Sequence, residues 1–159
     1  MSSANYPDEG KMKGLTLIEL MVVIAIIAIL ASFSFVDYTS WVESQKAQDS
    51  VERLYKLIML ARTKSFFEKK KCGVCWDSTE NVREFSLKCD NNGNGRLDDN
   101  ETMSTEKLKF GFRTPDRRCV EFYLEGFTKD VGTFELESDV DVPYRKIVVS
   151  KRKIRKEKN

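Results

Sequence analysis

Residues 14–38 read GLTLIELMVVIAIIAILASFSFVDY, and the fold turns on this stretch. From Leu15 to Val36 the one ionisable side chain is Glu19, and there is neither Gly nor Pro. The run therefore predicts a helix that rises roughly 33 Å at about 1.5 Å per residue. That is enough to cross a hydrocarbon core of about 30 Å. A carboxylate inside such a span costs about 2.5 kcal/mol or more at mid-depth, so Glu19 demands a partner, and the apolar run is read as supplying none. A secretory signal would have a shorter apolar region followed by a small-residue cleavage site. Here the small residue, Gly14, comes first.

Working outward, Lys11 and Lys13 flank the start of the apolar run. By the positive-inside rule they keep the amino end cytoplasmic and send the rest of the chain outward. The 159 residues leave room for one small domain beyond the helix. Their 27 basic and 25 acidic side chains say little globally, but the absence of His removes the usual neutral-pH base and metal ligand. No Ser/His/Asp or Cys/His nucleophile arrangement can be built, so the expectation is a non-enzymatic protein.

The helix is expected to continue past the apolar run. From Asp37 to Lys71 there is again no Gly or Pro, and Val51, Leu54, Ile58, Ala61 and Ser65 recur at helical spacing as one face. Trp41 stands where an interfacial aromatic belongs. After Lys71 the period changes to two. Phe85, Leu87 and Cys89 alternate with polar residues, as do Leu108, Phe110 and Phe112, then Val120, Phe122 and Leu124, then Phe134 and Leu136, then Ile147 and Val149. Five short strands with one buried face predict an α+β fold, a long amino-terminal α-helix packed on an antiparallel β-sheet.

The text KG/LTLIELMVVIAIIAILA resembles the amino-terminal signature of type IV pilins and pseudopilins. The resemblance implies that a prepilin peptidase cuts between Gly14 and Leu15, that Leu15 becomes the N-methylated first residue, and that Glu19 is the acidic residue that acts in assembly. The α-amino group of Leu15 in a neighbouring subunit would then neutralise Glu19 only when subunits assemble. An ordinary single-pass anchor with a stray Glu is the plainer alternative. The pilin-like reading divides the chain into a leader at 1–14, a transmembrane half of the helix at 15–36, an amphipathic half at 37–71 and a β-rich domain at 72–159. It implies a single pass through the inner membrane, a periplasmic or extracellular carboxy-terminal domain, and other pilin subunits as partners. Many pilins carry Pro where this chain has Val36, a departure that removes the expected helix kink. LIMLARTKSFFEKK, GTFELES and YRKIVVS resemble the GspH/FimT subfamily of minor pseudopilins and minor pilins.

Three further patterns could carry chemistry. Residues 90–101, DNNGNGRLDDNE, place Asp90, Asn92, Asn94, Arg96, Asp98 and Glu101 at the liganding positions of a twelve-residue calcium loop, with Gly95 at the tight turn. Calcium is the expected cofactor there, and a solvated Asn/Gly turn is the alternative. Cys72, Cys75, Cys89 and Cys119 form the second pattern. An outward-facing domain meets an oxidising compartment, so two disulfides are expected, with three possible pairings. Zinc and a redox-active Cys72–Cys75 pair are the alternatives, the spacing being poor for a zinc ribbon. The third is the tail at 150–159. There Lys151, Arg152, Lys153, Arg155 and Lys156 lie past the last strand legible in the sequence, where they could contact a DNA backbone without disturbing the sheet. Its alternative is a solvated end.

The functional expectation is a structural subunit of a type II secretion pseudopilus or a type IV pilus, at its tip or in its initiation complex. The rivals are a DNA-binding minor pilin that serves DNA uptake in natural transformation, and a membrane-anchored thiol-disulfide protein that uses Cys72 and Cys75.

Overall fold

The computed structural model describes residues 16–158, apart from the side chains of 33–37. Gly14 and Leu15, and with them the expected cleavage point, lie outside the described residues. Helix α1 spans Leu17–Glu68 and passes through residues 33–37 without interruption, as a sequence free of Gly and Pro demands. The chain divides into two compact units, one ending at Thr39 and one beginning at Ser40.

In the first unit, α1 exposes apolar side chains in every direction, from Leu17 at 78% to Leu30 at 63%. Among the described residues no helix is long and apolar enough to cross a membrane. The described apolar stretch, residues 17–32, rises about 24 Å. The span expected over 15–36 includes residues outside it.

In the second unit, α1 becomes amphipathic. Val51, Leu54, Ile58, Ala61 and Ser65 are all buried, as the helical spacing predicts, and Ala47 and Leu57 widen the stripe. The stripe shares one core cluster with the inward residues of a seven-stranded sheet. Its strands are β1 Cys72–Cys75, β2 Val82–Cys89, β3 Thr102–Arg113, β4 Cys119–Phe122, β5 Gly132–Glu137, β6 Lys146–Val149 and β7 Ile154–Glu157. They run antiparallel in the order β4-β1-β2-β3-β5-β6-β7. Trp76, Phe85, Phe112 and Phe134 interlock at the centre. Their ring centroids lie 5.1–6.2 Å apart, in tilted or edge-to-face contacts of the kind aromatic quadrupoles favour.

Five of the seven strands are the runs legible in the sequence. The two others carry no alternation to read. β1 is buried at all four positions, and at Gly73 the Leu97 side chain and the Val120 carbonyl lie within 2.7 Å of where a Cβ would sit. β7 is IRKE, a charged edge strand of the kind that discourages further strand pairing. The third run also ends sooner than its pattern suggests: β4 stops at Phe122, and Leu124 stands exposed in a turn.

Strand β1 decides the cysteine pairing. Cys72 lies directly opposite Cys89 on β2, and Cys75 directly opposite Cys119 on β4. The disulfides are Cys72–Cys89 and Cys75–Cys119, with Cα atoms 4.1 and 4.0 Å apart. Residues three apart in a strand point to opposite faces, so Cys72 and Cys75 cannot reach each other. The thiol-disulfide and zinc alternatives therefore lose their ligands, for no cysteine is free.

Candidate functional site

Glu19 sits in the first turn of α1 and has a local partner, contrary to the sequence reading. The Thr16 N–H and hydroxyl each lie 3.4 Å from Glu19 Oε2, and the Glu19 N–H donates to Thr16 Oγ1 at 3.3 Å. This reciprocal capping box satisfies amide donors that a helix start leaves open, and it sets a negative charge at the positive end of the helix dipole. The signal, Thr followed three residues later by Glu, was present in the text.

Residues 90–101 fold into a closed loop held by its own amides. Asp90 Oδ1 accepts from Gly93 and Asn94 at 2.7 and 3.1 Å, and Oδ2 accepts from Gly95 at 2.7 Å. Glu101 Oε1 accepts from Asn91 and Asn92, and Oε2 from Asp98. Asn92 Oδ1 accepts the Asn94 N–H, while the Asn94 side chain bonds Asp98 Oδ2 and the Arg96 N–H. Gly95, at φ +77°, makes the left-handed turn expected of the sixth position. All six expected ligand residues thus join one network, Arg96 through its N–H. Among the described residues no group of three or more His, Cys, Asp or Glu is arranged to hold a metal. Two lysines brace the loop: Lys71 Nζ donates to the Gly95 carbonyl at 2.9 Å, and Lys88 pairs with Asp99. Lys88 holds the Asp99 carboxyl below its ordinary value, chiefly through that hydrogen bond and then through its charge.

The basic end of the chain is not a tail beyond the sheet. Residues 154–157 form β7, joined to β6 by a turn in which the Ser150 N–H donates to the Lys153 carbonyl at 2.8 Å. Lys156 is spent on Glu52 of α1 and packs over the rings of Tyr55 and Tyr144, at 5.3 and 5.0 Å. Arg155 pairs with Glu157 at 2.6 Å. The five candidate DNA contacts therefore separate: Lys156 ties β7 to α1, Arg155 is exposed but paired within its own strand, and Lys151, Arg152 and Lys153 stay exposed at the turn. The signal missed was Ile154, an apolar residue within the charge run.

Sequence reading also passed over the 123–128 loop. It closes with the Tyr123 N–H on the Phe127 carbonyl and the Gly126 N–H on the Tyr123 carbonyl, at 2.8 and 2.7 Å. Arg62 Nε of α1 donates to the Gly126 carbonyl at 3.0 Å. The Thr128 N–H reaches the Lys151 carbonyl at 3.4 Å, so this loop and the 150–153 turn form one surface with the end of α1.

A family model, the prokaryotic N-terminal methylation motif, matches residues 10–35. Among solved structures, the crystal structure of the type IV minor pilin FimU of Pseudomonas aeruginosa superposes with a TM-score of 0.57. The match covers 74% of this chain and 92% of that one, at 11% sequence identity. At that identity the likeness is one of fold. No curated protein matches the chain. A methylation motif leading into a long helix and a seven-stranded antiparallel sheet supports a type IV pilin or pseudopilin. The solved structure that shares the fold with this chain at 11% identity is described as a type IV minor pilin.

Proposed function

We propose that this chain is a minor pilin-type subunit, cleaved after Gly14, methylated at Leu15, held in the inner membrane by residues 15–36, and built into a filament through α1. The observation that carries this reading is the first unit of α1. It exposes Leu17, Ile24, Leu30 and their neighbours around the whole helix, beneath a methylation motif. A helix apolar on all sides belongs in lipid or among other helices. Glu19 then serves twice: it caps its own helix through Thr16, and its remaining lone pairs accept the amino group of the adjoining subunit. The partners are other pilin subunits and a prepilin peptidase. A secretion pseudopilus and a type IV pilus use such a subunit in the same way; DNA uptake is favoured by the cationic surface beside the 123–128 loop.

The test is co-expression with a prepilin peptidase and the major subunit. Mass spectrometry should find a chain beginning at methylated Leu15, and Glu19→Gln should stay in the membrane fraction while losing filament incorporation. Retention of residues 1–14, or normal incorporation of the Glu19→Gln variant, overturns the proposal.

A further inference from the structure

We propose that the surface formed by the last turn of α1, the 123–128 loop and the 150–153 turn binds a nucleic-acid strand with unstacked bases. This deepens the DNA-uptake reading above, yet binding is a property of the second unit and is tested apart from filament assembly.

The surface interleaves rings and cations. Phe67 is 76% exposed and stands edge-on to Phe66, 5.5 Å away at 85°. Phe127, 41% exposed, projects from the same loop as Leu124, which is 49% exposed. Lys69 Nζ lies 4.5 Å above Phe66, Lys129 5.3 Å above Tyr123, and the Arg152 guanidinium 5.8 Å above Phe127. These distances are those of cation–π contact. They hold positive heads beside the rings. The loop encloses an open groove of about 430 Å³, lined by Tyr123, Leu124, Glu125, Phe127, Thr128 and Lys129.

Pairing separates these cations from their neighbours. Lys64, Lys71, Arg155 and Lys156 each have a carboxylate partner. Among the described residues no ion pair forms to Lys69, Lys129, Lys151 or Arg152. Phe67 stands about 40 Å along α1 from Ser40, where the unit begins, so the surface lies at the unit's far end. A ligand that matches it must supply repeated negative charge and flat faces for the exposed rings. A phosphodiester chain supplies the first through its phosphates and the second through unstacked bases, and stacking tolerates any sequence. An acidic peptide supplies charge alone.

The experiment titrates the full chain, in non-ionic detergent, into a labelled 20-nucleotide oligothymidylate followed by fluorescence anisotropy. Binding is expected near physiological salt. Four phosphate contacts give a log-log salt slope of about −2.8 for a single strand. Phe67→Ala and Phe127→Ala should each weaken binding by at least about fivefold, with an unchanged melting temperature as the control for folding. Replacing Lys69, Lys129 and Arg152 together with Gln should flatten the slope. Phe67→Tyr, which keeps the ring, should bind as the parent does. The proposal is overturned if the strand does not bind, or if both ring variants bind unchanged. It is also overturned if polyglutamate, or mixed micelles carrying phosphatidylglycerol, displace the strand at comparable charge concentration, which would assign the surface to an acidic protein or to a lipid headgroup. Loss of filament incorporation by Glu19→Gln with strand binding intact would leave this inference standing on its own.

Discussion

Breaking the Cys75–Cys119 bridge should cost the second unit a large share of its stability, by an amount the topology lets us work out. The bridges join residues 17 and 44 apart in sequence. Loop-closure entropy then gives about 3.2 kcal/mol for Cys72–Cys89 and about 4.0 kcal/mol for Cys75–Cys119. Both start on β1, so with the shorter bridge in place the longer loop contracts only to roughly 34 residues, and the two losses nearly add. Their sum, about 7 kcal/mol, compares with roughly 5–15 kcal/mol for a whole domain. At about 3–6 °C per kcal/mol for a unit of this size, Cys75→Ala/Cys119→Ala should melt roughly 12–24 °C lower. The assay is thermal unfolding of the full chain in detergent, followed by fluorescence of the buried Trp76. Tryptic mapping without reductant supplies the covalent check. Fragment 72–83 holds both β1 cysteines, and it should emerge bonded to fragments 89–96 and 119–129 together. A melting shift under about 3 °C, or a fragment 72–83 closed on itself, refutes the reasoning.

Other outcomes follow from the same contacts. Deleting residues 151–158 removes β7, the Lys156–Glu52 pair and the packing of Ile154, so it should destabilise the unit by about 1–3 kcal/mol. A tail outside the sheet would leave the melting point unchanged. If residues 90–101 take calcium at the affinity of an extracellular module, about 0.1 mM, then 1 mM calcium should stabilise metal-stripped protein by about 1.4 kcal/mol and Glu101→Gln should abolish the gain. Equal melting in calcium and in chelator leaves the loop a hydrogen-bonded turn. Because Lys88 depresses the Asp99 carboxyl, the pair's stabilisation is fully present above the unfolded carboxylate value, about pH 4, and is lost as pH falls through the lower folded value. The melting gap between wild type and Asp99→Asn should accordingly be widest above that pH and close below it; a gap constant from pH 7 to pH 2 would contradict the pairing.

What the sequence made legible was periodic. The stripe from Val51 to Ser65 and the alternation in β2, β3, β5 and β6 are repeats of 3.6 and 2.0 that burial imposes directly on residue choice. β1 and β7 escaped because neither alternates. One is buried on both faces and the other is a charged edge, so no two-residue period marks them. The cysteine pairing needed the register of β1 against both neighbours, which is information about partners rather than about the strand. The residues singled out in the 90–101 loop do meet in one hydrogen-bond network, but the text does not reveal how fully the loop amides engage their oxygens. The basic run was read as one object because charge is additive along a chain, whereas Glu52 and Glu157 divide it in space.

The placement of the two disulfides has a mechanical consequence. If α1 holds the subunit in a filament, as proposed, any pull on its outer end arrives through the short connection from Glu68 to Cys72. β1 is only four residues long, and hydrogen bonds alone would let so short a strand peel away from its neighbours in sequence, one after another. Instead its first residue is covalently tied to β2 and its last to β4, one bond on each face. Tension entering β1 is therefore shared across three strands at once. Detaching that strand from the sheet requires chemistry rather than force of the magnitude that separates amides, so the bridges would fix how such a load path ends as well as how stable the unit is at rest.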